Sequence, residues 1–213
     1  MTDKHRNFAA AILAGGRNSR MGGVDKAFLK VGPETVFERS LRVLNQCFEE
    51  IVVVSNRPEK YDRFRVRIVS DEFVAAGPLA GIHAALGAVR SPNVFIVACD
   101  MPFLRVEPIE LLLRHCTDSD AVIPSWDGDI EPLHAVYSVK LRAPIAQALQ
   151  QGVTAIRDFL PSIRVTYLPE SLVRACVGSE EAFRNVNTPE DALRYAVEVR
   201  PEGELIDGVG TAK

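Results

Sequence analysis

Phe8-Ala9-Ala10-Ala11-Ile12-Leu13-Ala14-Gly15-Gly16-Arg17-Asn18-Ser19-Arg20-Met21-Gly22-Gly23-Val24-Asp25-Lys26 is an apolar run that breaks into a glycine-rich loop and ends on a lysine. Phe8 to Leu13 reads as a buried first strand. Four glycines within the next nine-residue stretch let the backbone turn tightly and bring its amides close to an anion. Arg17, Arg20 and Lys26 add positive charge, the arginines as planar forks for phosphate oxygens and the lysine as a compact point charge. The stretch therefore reads as a cradle for the phosphates of a nucleotide.

Neither common glycine-rich fingerprint is present. Lys26 is followed by Ala27, so the hydroxyl that a Walker A loop places on magnesium is missing. G-x-G-x-x-G does not occur, and no helix of useful length can begin before Gly22-Gly23. The plain alternative is a surface loop rich in glycine and arginine.

Outward from this loop, apolar runs of strand length alternate with helical patterns, the sequence form of a parallel sheet wrapped by helices. Strands are predicted at 8–13, 51–55, 67–69, 94–98, 121–124 and 133–138. Val36, Phe37, Ser40, Leu41, Leu44 and Phe48 mark the inner stripe of one helix, and Leu111, Leu112 and His115 that of another. Thr188 can cap a last helix with Pro189 at its first position. One domain over 1–198 is expected, and 199–213, without periodicity, reads as a disordered tail.

Ligands of such sheets bind beyond the carboxyl ends of the strands. The loop follows the first strand, Asn56 and Arg57 the second, Asp71 the third and Asp100 the fourth. Asp100 stands at the end of Val94-Phe95-Ile96-Val97-Ala98-Cys99 and suits a hard cation such as Mg2+, although a turn aspartate ahead of Met101-Pro102 is the simpler use of the residue. Asn185 and Asn187, two apart, would share a face of an extended segment, or serve as turn residues leading into the Thr188 cap. His134, in an alternating strand, reads as a packed structural group and not a catalytic one.

These residues resemble a family. L-A-G-G-x-x-x-R-M-G-x-x-K is similar to the signature loop of the small nucleotidyltransferases, and its Gly22-Gly23-Val24-Asp25-Lys26-Ala27 ending looks most like the molybdenum cofactor guanylyltransferases. Val53-Val54-Ser55-Asn56-Arg57, Asp71, Gly77-Pro78-Leu79-Ala80-Gly81, Cys99-Asp100-Met101-Pro102 and Asn185-Val186-Asn187-Thr188-Pro189 follow in the family's order, so the likeness covers about residues 8 to 197. It implies a Rossmann-like three-layer α/β sandwich with a mostly parallel sheet, of the nucleotide-diphospho-sugar transferase type. The implied activity is transfer of GMP from GTP to the terminal phosphate of molybdopterin, with release of pyrophosphate.

Carried over residue by residue, the resemblance assigns Leu13, Ala14, Gly15, Gly16, Lys26, Asn56, Asp71, Gly77, Pro78, Leu79 and Asp100 to GTP. Lys26, Arg20 and Asp100 become the catalytic set, Asp100 the Mg2+ ligand, and Asn185 and Asn187 the metal shell or acceptor side. Glu131-Pro132-Leu133-His134 departs from the Asp-His-Pro-Thr type of some relatives, which bears on the acceptor side. A cytidylyltransferase acting on the same cofactor is the nearest alternative, but its loop typically begins L-A-A-G, and Gly15-Gly16 favours the guanylyl branch. Sugar-phosphate nucleotidyltransferases, with loops more like G-x-G-T-R-L, fit less well. A non-catalytic nucleotide or cofactor carrier is the alternative of another class.

Composition sets outer bounds. A net charge of -3 argues against a nucleic-acid partner held by bulk electrostatics. Cys47, Cys99, Cys116 and Cys176 are scattered without a C-x-x-C pair, which suggests reduced thiols in a cytoplasmic protein. The weakly apolar stretch 73–89 is broken by Gly77-Pro78 and His83 and is short for a membrane span. A soluble monomer is expected, with transient contact to proteins that deliver the cofactor or receive it.

Overall fold

The computed structural model of the protein describes residues 5–15, 25–177, 182–186, 191 and 197–198. Its strands are β1 (Phe8–Leu13), β2 (Lys30–Val31), β3 (Glu34–Thr35), β4 (Ile51–Val54), β5 (Arg67–Val69), β6 (Asn93–Ala98), β7 (Ala121–Trp126), β8 (Asp129–Ile130), β9 (His134–Ser138), β10 (Val165–Leu168) and β11 (Val197–Glu198). Its helices are α1 (Val36–Cys47), α2 (Gly77–Ala88), α3 (Val106–Arg114), α4 (Arg142–Gln150), α5 (Ile156–Phe159) and α6 (Glu170–Val177). Of the helix expected after Thr188 only Asp191, which is helical, is among the described residues, and the tail beyond residue 198 lies outside them.

The main sheet runs β10-β7-β9-β6-β1-β4-β5, with β8 paired to β7. β1 lies at its heart, parallel to both β6 and β4, in a register that brings Leu13, Ala98 and Val54 level at one edge. β5 continues this parallel set beyond β4, and β10 is parallel to β7. β9 alone in this row runs antiparallel to its neighbours β6 and β7, so it begins at the edge where β1, β4 and β6 end. A second small sheet, β11-β2-β3, lies apart from it.

The central runs lack polar alternation because both faces are covered. Ala10, Ile12, Val53, Phe95 and Val97 pack with Phe37 and Leu44 of α1, Ile109 and Leu112 of α3, and Val173 of α6. Ala11, Leu13, Val52, Val54 and Ile96 pack on the other side with Leu79 and Ile82 of α2 and Ile145 and Leu149 of α4. Each large side chain of this kind stabilises the fold by about 1.5–3 kcal/mol when fully buried. α1 starts at a capping box, Thr35 Oγ1 accepting from Glu38 N at 3.2 Å and Glu38 Oε2 from Thr35 N at 2.8 Å.

The stretch around 73–89 that reads only as weakly apolar contains α2, nine of whose twelve residues are buried. A helix covered nearly all round has no amphipathic stripe to reveal it. The assembled architecture is the expected Rossmann-like three-layer sandwich with a mostly parallel sheet.

Candidate active site

The carboxyl edge of the sheet opens into a crevice of about 380 Å³. Leu13, Ala14 and Gly15 form its floor, held by Ala14 N donating to Val54 O at 2.9 Å and Cys99 N to Leu13 O at 3.1 Å. A Cβ on Gly15 would stand 3.8 Å from Asp71 Oδ2, an ordinary contact, so packing alone does not demand glycine there.

Lys26 enters from the far end of the loop. It opens a single 3-10 turn, Lys26–Phe28, capped by Asp25 Oδ1, which accepts from Ala27 N at 3.3 Å. Asp25 is 4% exposed and its Oδ2 accepts from Arg57 Nη2 at 3.0 Å and Lys60 Nζ at 3.2 Å. This clamp ties the loop's exit to the segment after β4, and Lys26 Nζ reaches Asp100 Oδ2 at 3.2 Å. Gly16, Arg17 and Arg20 lie outside the described residues.

Asp71 also lines the crevice. Asn56 Oδ1 accepts from Asp71 N at 3.0 Å while its Nδ2 donates to Asp71 Oδ2 at 3.3 Å. Asn56 itself does not line the crevice; it holds Asp71, which does. Burial raises the Asp71 carboxyl above its ordinary pKa despite that bond, and its Oδ1 is buried without a partner. A ligand N–H or O–H is the natural complement of such an oxygen.

Gly77 and Pro78 open α2 at the crevice, with no side chain capping the helix. First-turn amides lack intrahelical acceptors and sit at the positive end of the helix dipole. Gly77 takes φ +73°, and a Cβ there would come 3.2 Å from Thr154 O. Leu79, 1% exposed, points into the core, which leaves only its main chain for a nucleotide.

Asn185 arrives from the distant segment 182–186. Phe183, 3% exposed, stacks on Trp126 with centroids 4.9 Å apart and lies 4.5 Å from the His134 ring. Val186 is fully buried with Leu29, Val31 and Val36, and its N–H donates to Asp100 O at 2.9 Å. Between these anchors Asn185 lines the crevice with a buried, unpartnered Oδ1. Asn187 lies outside the described residues. His134 is fully buried, pushed down to about 3 by desolvation, and packed edge-on against Phe95, as a structural histidine should be.

Of the remaining wall, the sequence marked only Glu131-Pro132-Leu133, as a departure bearing on the acceptor side, and gave none of its residues a role. Asp129, Ile130, Glu131, Pro132, Leu133 and Arg157 form it. Arg157 is committed to the wall itself, Nη1 lying 2.7 Å from Asp129 Oδ1 and Nη2 donating to Ile130 O at 3.1 Å. Burial, helped by the negative charge of Asp129, pushes the Glu131 carboxyl up to about 7. Asp25 is the other residue missed: it is quoted in the loop motif, but nothing in its neighbours announces that it is buried between two cations.

Oriented amides on one side, a carboxylate beside a lysine at the centre and, among the described residues, no nucleophile paired with a base suit transfer between phosphates by positioning and charge stabilisation. The family model of the MobA-like NTP transferase domain matches residues 10–165. A protein of Pelotomaculum thermopropionicum named "Probable molybdenum cofactor guanylyltransferase" is 38% identical over 87% of this chain and 90% of its own. The "Molybdenum cofactor guanylyltransferase" of Syntrophotalea carbinolica is 38% identical over 88% of this chain and 90% of its own. The crystal structure of molybdopterin-guanine dinucleotide biosynthesis protein A from Archaeoglobus fulgidus superposes with a TM-score of 0.77 at 29% identity, over 88% of this chain and 96% of that one. With the matched residues spanning the crevice floor, the Lys26–Asp100 pair and most of the sheet, the chain belongs to the MobA-like NTP transferase family.

Proposed function

We propose that the protein transfers GMP from GTP to the terminal phosphate of molybdopterin, releasing pyrophosphate. The observation that carries this reading is the Lys26–Asp100 pair, set between the glycine floor on one side and the Glu131 wall on the other. Two phosphorylated reactants repel: a unit-charge pair about 4 Å apart at an effective dielectric near 20 costs about 4 kcal/mol. Lys26, joined by Arg20 of the loop, offsets that charge. The floor, Asp71 with Asn56 behind it, and the open start of α2 hold the nucleotide.

Mg2+ fits the donor set. Asp100 would supply a carboxylate and Asn185 a buried oxygen with no partner among the described residues, both hard ligands of the kind Mg2+ takes together with phosphate oxygens and water. When bound, the ion neutralises charge developing on the transferred phosphoryl group. Guanine as the base rests on the names of the relatives and on Gly15-Gly16 in the loop. A cytoplasmic setting suits the four free cysteines, and handover of the product to recipient molybdoenzymes would use transient contacts.

Pyrophosphate release tests the reading. Protein, Mg2+ and molybdopterin are mixed with GTP or CTP, and each mixture is repeated without acceptor. Release with GTP that depends on the acceptor is expected. A preference for CTP moves the protein to the cytidylyl branch, and GTP binding without any release makes it a carrier.

A further inference from the structure

We infer that Glu131 forms an acceptor subsite that recognises the amino–imino edge of the pterin ring, a pair of N–H donors, and not a second phosphate. This rests on the proposed acceptor being a pterin phosphate. Lateral order along the sheet carries the first step. Asp71 follows β5, the glycine floor follows β1, Asp100 follows β6, and Glu131 stands just before β9 on the other flank of Asp100. With neighbouring strands about 4.8 Å apart, the β9 position is about one strand spacing beyond β6. A nucleotide on the β1–β4–β5 side with its reacting phosphate at Asp100 leaves the acceptor the side of β9, β7 and β8.

Charge and hydrogen bonding decide what that side can hold. Among the described residues that line this side the one cation, Arg157, is paired with Asp129 and Ile130 O, so beside Asp129 and Glu131 the wall carries no positive charge in excess of its carboxyl groups. The Glu131 main chain is likewise used, its N–H donating to Pro124 O at 2.9 Å and its carbonyl accepting from His134 N at 3.1 Å. Glu131 lines the crevice, and among the described residues its carboxyl makes no hydrogen bond or ion pair. Ile130, Pro132 and Leu133 beside it offer apolar surface to a flat ring. In its ionised form the group only accepts, and on an apolar shelf it then selects a heterocycle carrying donors, since two N–H groups on one edge match the two oxygens of a carboxylate. Desolvation, which raises the Glu131 pKa, is offset when such donors arrive.

The test uses 6-hydroxymethylpterin monophosphate and the corresponding lumazine, in which a 2-oxo group replaces the 2-amino donor. Affinities for the full chain with Mg2+ and GTP are measured by fluorescence titration, for the native protein and for E131A and E131Q. The native protein should prefer the pterin at least tenfold, E131A should lose the preference while Mg2+–GTP affinity stays within twofold, and E131Q should fall between. Equal binding of pterin and lumazine by the native protein, or an undiminished preference in E131A, overturns the inference. So does a tenfold loss of Mg2+–GTP affinity in E131A with the pterin preference intact, which would place Glu131 on the nucleotide side. Failure of the function itself looks different: no pyrophosphate from GTP with molybdopterin, whatever the ring preference.

Discussion

Val186 N–H donates to the Asp100 carbonyl at 2.9 Å, so a segment 86 positions downstream is fastened to the residue that ends β6. The bond seats Asn185 in the crevice beside the carboxylate that Lys26 holds at 3.2 Å. Centre and shell of the site are thereby built from two remote parts of the chain.

Asp100→Ala should lower turnover at least 100-fold, since losing several kcal/mol of charge stabilisation at the transferred group is worth that much. Stability should fall by no more than about 1 kcal/mol, because the pair with Lys26 is partly exposed. Pyrophosphate release and urea unfolding measure the two effects. Near-native turnover removes Asp100 from the chemistry.

Asp25→Asn should cost more stability than Asp100→Ala. The carboxylate is buried and serves two cations, so its neutralisation removes two charge-assisted bonds at a desolvated site; about 2 kcal/mol is expected, below the range for fully buried pairs because Arg57 is partly exposed. Turnover should fall as well, through the displaced Lys26. Urea midpoints and kcat check this, and a variant as stable and active as the native protein would show that the clamp is idle.

Two glycines at the crevice should behave oppositely. Gly77→Ala is strained by φ +73° and by Thr154 O at 3.2 Å, and should destabilise by about 1–2 kcal/mol. Gly15→Ala meets only an ordinary contact and should fold normally, yet weaken GTP binding at least tenfold by obstructing the approach of the phosphates. Thermal unfolding and GTP titration of both variants separate packing from ligand access.

His134 and Glu131 impose opposite pH dependences on stability. The folded histidine titrates near 3 against an ordinary 6.5, so as pH falls below about 6.5 the unfolded chain binds a proton that the folded one refuses, and stability is lost at up to about 1.4 kcal/mol per pH unit. The folded Glu131 titrates near 7 against 4.5, so its contribution is present below 4.5 and lost as pH rises through 7. His134→Phe should flatten the acid limb of a stability-against-pH curve, and Glu131→Gln should raise Tm at pH 8 but not at pH 4.5. Parallel curves for variants and native protein would contradict both shifts.

Phe183→Leu should leave a void between Trp126 and His134, costing about 1–3 kcal/mol, and should lower kcat more than it raises KM for GTP, because it loosens Asn185 and not the nucleotide floor. Unfolding and steady-state kinetics check both parts. An unchanged kcat would show that Asn185 does not depend on this anchor.

The chain by itself determined the central strands, because β1, β4 and β6 are apolar runs bounded by polar or glycine residues, and it placed Asp71 and Asp100 at strand ends within a few residues of the sequence. It also marked the glycine loop and α1, whose buried stripe and capping box are local features. The extent of helix α2 was not legible beyond a possible start at Gly77-Pro78, because the helix is apolar all round, and β10 was missed because Val165-Thr166-Tyr167-Leu168 is short and half exposed at the sheet's edge. Only the tertiary structure decided that β9 runs against its neighbours, which carries the residues before it, Glu131 among them, to the edge where parallel strands end. Periodicity reports which side chains are buried, but strand direction and neighbour order arise from hydrogen bonds between distant segments. For the same reason the buried clamp on Asp25 and the docking of Asn185 beside Asp100 became visible only once the chain was folded.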